Sequence, residues 1–122
     1  MSEKEYLKKR VDIRCSCKKQ RPNNDRMKFG TCRCDSYNMS STLTNVIANY
    51  LYQYLADAKG AIIREDWDII EKCANDIREY SLADSWDLLS KEKGIKTAYI
   101  KKEKDFKNAI NWMLKNWQSL WW

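Results

Sequence analysis

Residues 42–59 read TLTNVIANYLYQYLADAK. Leu43, Val46, Ile47, Tyr50, Leu51, Tyr54, Leu55 and Ala58 recur at 3-1-3-1-3-1-3 spacing, one unbroken stripe on a 3.6-residue period. The spacing predicts a long amphipathic helix with that stripe turned to a core. Ser40 or Ser41 suits its N-cap, and Gly60 suits the position just past its end.

Helical patterning continues downstream. Trp67, Ile70, Ala74, Ile77 and Ser81 follow 3-4-3-4 spacing, which predicts a second helix from about Ile63 or Asp66 to Tyr80. The break at Gly60 is short, so the two helices are expected to pair antiparallel. Asp84 to Glu92 reads as a third, shorter helix ending before Gly94. Ile95–Ile100 reads as a short strand or an extended connector. A last helix is expected over Glu103–Leu120. Phe106, Ile110, Met113, Trp117 and Trp121 share its apolar face, and Lys104, Lys107 and Lys115 lie opposite.

The first third reads differently. Tyr6-Leu7, Val11, Ile13, Cys15 and Cys17 show strand-like alternation, as do Met27, Phe29 and Thr31. Pro22-Asn23-Asn24-Asp25 between them is a turn signal, and Asp35–Ser41 reads as a polar connector. The expected fold is therefore mainly α. A compact three- to four-helix bundle over residues 39–122 follows a small Cys-rich β-hairpin, zinc-ribbon-like, over residues 1–38.

The chain has 122 residues and a formal net charge of +6. Residues 1–40 carry eleven Lys/Arg against five Asp/Glu, whereas residues 41–122 carry twelve of each. The whole excess belongs to the first third. A basic segment on a neutral body predicts a contact surface for phosphates or for an acidic partner; a solvated tail is the plainer alternative.

That segment also holds four of the five cysteines, as Cys15-Ser-Cys17 and Cys32-Arg-Cys34. Four thiolates suit Zn²⁺, which closes a tetrahedron of sulfur and stabilises a segment too small for its own core. The spacing is C-x-C rather than the familiar C-x₂-C. Free or redox-active thiols and disulfides are the alternatives. Arg14, Lys18, Lys19, Arg21, Arg26, Lys28 and Arg33 surround the cysteines. A zinc-fixed frame would hold these cations against nucleic-acid phosphates, with Phe29 and Tyr37 available for stacking on unpaired bases. An acidic host protein surface would be met by the same arrangement.

Other features have plainer readings. Cys73 stands alone on a helix and is expected to be a core residue. Glu65-Asp66-Trp67-Asp68-Ile69-Ile70 and Asp84-Ser85-Trp86-Asp87-Leu88-Leu89 resemble each other. Each reads as an acidic helix start anchored by a tryptophan, rather than as a cation site or a hydrolytic pair. Trp112 is expected on the lysine-bearing side of the last helix, as an interface anchor beside the basic surface. Trp122 can join such an interface, and self-association through exposed aromatics is a further expectation.

Exclusions narrow the function. The chain has no histidine, so imidazole acid–base chemistry, Ser-His-Asp and Cys-His catalysis, and His-ligated metals are ruled out. Its only glycines are Gly30, Gly60 and Gly94, which excludes a glycine-rich phosphate loop. No run of about 20 apolar residues occurs, and a basic Trp-bearing helix facing a bundle has no apolar side left for a membrane. The start, MSEKEYLKKR, lacks the apolar stretch of a signal peptide, so a cytoplasmic setting is expected.

A short Lys/Asn/Tyr/Trp-rich chain with a metal-like patch resembles small accessory proteins of bacteriophages, which implies a factor that works by binding. The expected function is a non-enzymatic, nucleic-acid-associated protein. A regulator or inhibitor of a host complex and a structural subunit of a larger assembly are the alternatives.

Overall fold

The computed structural model describes residues 2–13, 28–30, 35–82 and 93–120. Four α-helices pack together: α1 (Glu3–Lys8), α2 (Asp35–Ala58), α3 (Trp67–Leu82) and α4 (Lys93–Lys115). A 3₁₀ turn, Trp117–Ser119, follows α4. There is no strand among the described residues.

The long helices run up, down and up, and the side-chain pairings give the sense of each. Lys59 meets Glu71, Tyr52 meets Asn75, and Asn45 meets Arg78. As α2 descends in number α3 ascends, so the pair is antiparallel. Tyr80 at the end of α3 stacks on Phe106 with ring centroids 4.2 Å apart, while Arg64 before its start bonds the Ser119 carbonyl after α4. Hence α4 runs antiparallel to α3, and α3 is central. The α2–α3 turn closes when the Ala61 and Ile62 amides both donate to the Ala58 carbonyl at 2.9 Å. Gly60 keeps a negative φ there, so no left-handed residue ends α2.

The core takes Ile70, Ala74, Ile77 and Trp67 from α3, the periodic set expected. Cys73 is buried beside them, and burial pushes its thiol up to about 11. From α4 come Ala109 and Met113, with Phe106 and Ile110 packed against them.

Helix α2 corrects the sequence reading in its face. The buried positions are Thr44, Ala48, Leu51, Tyr52, Leu55, Ala56 and Ala58, whereas Leu43 and Tyr50 of the expected stripe are exposed. The small side chains of Ala48 and Ala58 leave room for neighbouring helices. Tyr52 is only 1% exposed because Asn75 Oδ1 accepts its hydroxyl at 2.7 Å. A buried phenol needs such a partner, and Asn75 of α3 supplies it.

Helix α1 is the second correction. Tyr6 and Leu7, expected on a strand, are helical. The Ser2 hydroxyl accepts the Glu5 amide at 3.3 Å, Glu3 and Glu5 occupy the first turn, and Lys8 the last, so both helix ends meet suitable charge. Six residues cannot hold a helix alone. Tyr6, 1% exposed, fixes it by entering the core shared by the other helices. Its hydroxyl accepts from Lys59 Nζ at 2.9 Å and donates to Glu71 at 3.2 Å, which joins α1, the end of α2 and α3.

Three further expectations change. Asp35–Ser41 is the first part of α2 rather than a connector. Gly94 lies inside α4 rather than ending a helix, and Ile95–Ile100 is helical. The expected helix over 84–92 lies wholly outside the described residues, as does most of the expected hairpin. Within that hairpin Lys28 and Phe29 are helical.

Candidate nucleic-acid interface

The four cysteines and Arg14, Lys18, Lys19, Arg21, Arg26 and Arg33 lie outside the described residues. Among the described residues no group of His, Cys, Asp or Glu is arranged to hold a metal ion. Lys28 is exposed, with its ammonium 5.2 Å from the centre of the Phe29 ring. Trp112 is half-buried against the core cluster, and its carbonyl accepts the Asn116 side chain.

The structure brings together cations that the sequence reading did not single out. Lys8, Lys9 and Arg10, at the end of α1, face Arg78 of α3 across an open cleft of about 520 Å³. Among the described residues the partners of Lys9, Arg10 and Arg78 are neutral. Lys9 Nζ donates to Asn75 Oδ1 at 3.3 Å. Arg10 donates to Gln53 Oε1 at 2.6 Å and to the Leu7 carbonyl at 3.1 Å. Arg78 donates to Asn45 Oδ1 at 2.7 Å and Ser81 Oγ at 3.0 Å. Amide and hydroxyl oxygens hold these side chains in place without cancelling their charge. Among the described residues that line the cleft the one acid is Glu79, which lies 3.9 Å from Lys102.

The backbone of Val11, after α1, is held by one side chain. Asn49 of α2 accepts the Val11 amide and donates to the Val11 carbonyl, both at 2.7 Å. This pair of hydrogen bonds to one residue satisfies both backbone groups, as a neighbouring strand would. It secures Arg10 and carries the chain over α2 as it enters the basic segment that begins at Arg14.

Beyond Val11 a second cleft of about 490 Å³ opens, lined by Arg10, Val11, Asp12, Asn49, Gln53 and Tyr50. Tyr50 is 74% exposed. It also borders a third, apolar cleft of about 470 Å³, formed with Ile47 and Tyr54 of α2 and Met113, Trp117 and Leu120 at the end of α4. The outward half of the α2 stripe thus lines clefts instead of filling the core.

The Arg64–Asp66 ion pair ties parts of the fold together. Arg64 grips Asp66 through two bonds, 2.7 and 3.0 Å, and also donates to the Tyr54 hydroxyl and the Ser119 carbonyl. The Arg64 guanidinium holds the Asp66 carboxyl below the usual carboxylate range. Asp66 therefore serves Arg64 with its carboxylate, and its carbonyl accepts the Ile70 amide at the start of α3. Trp67 is buried there, as its helix-start position implied.

None of the described helices is long and apolar enough to cross a membrane. No protein-family model, curated protein or solved structure matches the chain. The fold class rests on the structure itself: a mainly helical bundle in which the four described helices pack together.

Proposed function

We propose that this protein is a non-enzymatic, cytoplasmic nucleic-acid-binding protein. In this reading the basic segment around Arg14, Lys18, Lys19, Arg21, Arg26, Lys28 and Arg33 contacts phosphates, and the helical bundle is its platform. The observation that supports it is the partition of charge: all of the +6 belongs to residues 1–40, and the rest of the chain is neutral. Phosphate contacts dominate nucleic-acid affinity, and segregated cations serve them. Zn²⁺ bound by Cys15, Cys17, Cys32 and Cys34 is part of the proposal. It would replace the core that so short a polar segment lacks.

A salt titration tests the reading. Binding to a labelled oligonucleotide, followed by fluorescence anisotropy, should weaken steeply between about 50 and 200 mM salt. Absence of any affinity at the lower salt sinks the proposal. Elemental analysis of the reduced protein tests the metal separately, with about one zinc per chain expected.

A further inference from the structure

The clefts on either side of Arg10 share a design that narrows the ligand. The first holds four cations, Lys8, Lys9, Arg10 and Arg78, and the described partners of the last three are neutral oxygens. The second begins at Arg10 and ends at Tyr50, a ring that is 74% exposed although it lies within a helix. Tyr50 is not part of the core, which α2 enters at this level through Leu51 and Tyr52.

We propose that these two clefts form a binding track for single-stranded nucleic acid. The cations of the first cleft take consecutive backbone phosphates, and an unpaired base stacks on Tyr50. Proteins that bind single strands combine a basic groove with exposed aromatic faces. A duplex offers the same phosphates but keeps its base faces stacked inside, so Tyr50 gains nothing from it. The site rests on the nucleic-acid reading above and deepens it. It places the contact on the folded bundle, beside the point where the chain enters the basic segment, and specifies the strand state of the ligand.

The positions held by neutral acceptors matter to the argument. A carboxylate partner would have to be displaced, or its charge overcome, before a phosphate could bind. Amide oxygens carry no net charge, so Arg10 and Arg78 meet the phosphate already oriented.

The test uses the full chain, a labelled oligothymidylate of about 12 nucleotides, and a duplex of similar length. Two variants are compared with the parent by anisotropy. Tyr50→Ala removes only an exposed ring, and circular dichroism checks that the helices persist. It should weaken single-strand binding about tenfold and leave duplex binding unchanged. Lys8→Gln/Arg10→Gln should lower the slope of log K against log salt by about 1.4, the value for two lost phosphate contacts on a single strand. If the parent binds neither probe, the nucleic-acid reading fails and this site with it. If the parent binds and both variants bind alike, the site alone is refuted. Equal loss on duplex and single strand in Tyr50→Ala refutes stacking.

Discussion

Two sets of cations sit on this bundle, and they are held in opposite ways. Lys59 and Arg64 face carboxylates: Lys59 lies 3.7 Å from Glu71, and Arg64 takes both oxygens of Asp66. Lys9, Arg10 and Arg78 face amide and hydroxyl oxygens. The first set links elements: Lys59 joins the end of α2 to α1 and α3, and Arg64 joins the α2–α3 turn to the chain beyond α4. The second set keeps its charge available. A paired cation has met its counter-charge within the fold; a cation fixed by neutral groups has been positioned for one that arrives from outside.

The largest effect is expected where the two sets are connected. Tyr6 anchors α1 through Lys59 and Glu71, and α1 carries Lys8, Lys9 and the start of the Asn49-clamped segment. Tyr6→Ala should cost about 3–5 kcal/mol, the range for truncating a buried aromatic, measured by urea unfolding. It should also abolish the cation cleft, because the helix that presents the cations loses its place in the core. If oligonucleotide binding survives intact in a folded Tyr6→Ala chain, the cleft does not depend on α1 docking.

Arg64→Gln tests the paired set alone. It removes two charge-assisted bonds to Asp66 and the bonds to Tyr54 and Ser119, a loss of about 2–3 kcal/mol. The sign of the pH dependence follows from Asp66, whose carboxyl is held low in the folded state by Arg64. Its stabilisation is therefore present above the ordinary aspartate range and is lost as the pH falls below it. Urea midpoints of the parent should drop on acidification through that window, and those of Arg64→Gln should drop less. Oligonucleotide affinity at neutral pH should change little; a large change there would show that the two sets are not separate.

How much of this was legible depends on what each feature writes into the sequence. Helix α3 was legible because Trp67, Ile70, Ala74 and Ile77 are apolar at the positions they bury. In α2 the period revealed the helix but not its face. Hydrophobic spacing takes Tyr50 into the stripe and leaves Tyr52 out, whereas Tyr52 is the one buried, with its hydroxyl bonded to Asn75 on another helix. Helix α1 had a readable signal, Ser2 three residues before Glu5 and ahead of Tyr6, that matches a capping pattern. Alternation of Tyr6, Val11 and Ile13 obscured it. At the start of α4, Gly94 costs a helix only about 1 kcal/mol relative to alanine, less than packing along α3 can return. For the site, the uneven charge was plain, but Arg78 lies far along the chain from Lys8–Arg10. Only the antiparallel register of α2 and α3 places it on their cleft.

Asn75→Asp makes the smallest change and addresses the comparison most directly. Asn75 Oδ1 receives both Lys9 and Tyr52, and aspartate keeps the shape and both donors. The substitution converts Lys9 from a cation held by an amide into one paired with a carboxylate. Part-exposed ion pairs are worth about 0–1 kcal/mol, so urea stability should move by no more than that. Oligothymidylate binding should nevertheless weaken, and the salt slope should fall by about 0.7, as for one lost phosphate contact. Truncating Lys9 would remove the charge and its packing together, whereas Asn75→Asp leaves the lysine in place and cancels only its availability. If binding is unaffected while Lys9→Ala weakens it, the neutral acceptors merely position the side chain, and the distinction between the two sets has no bearing on function.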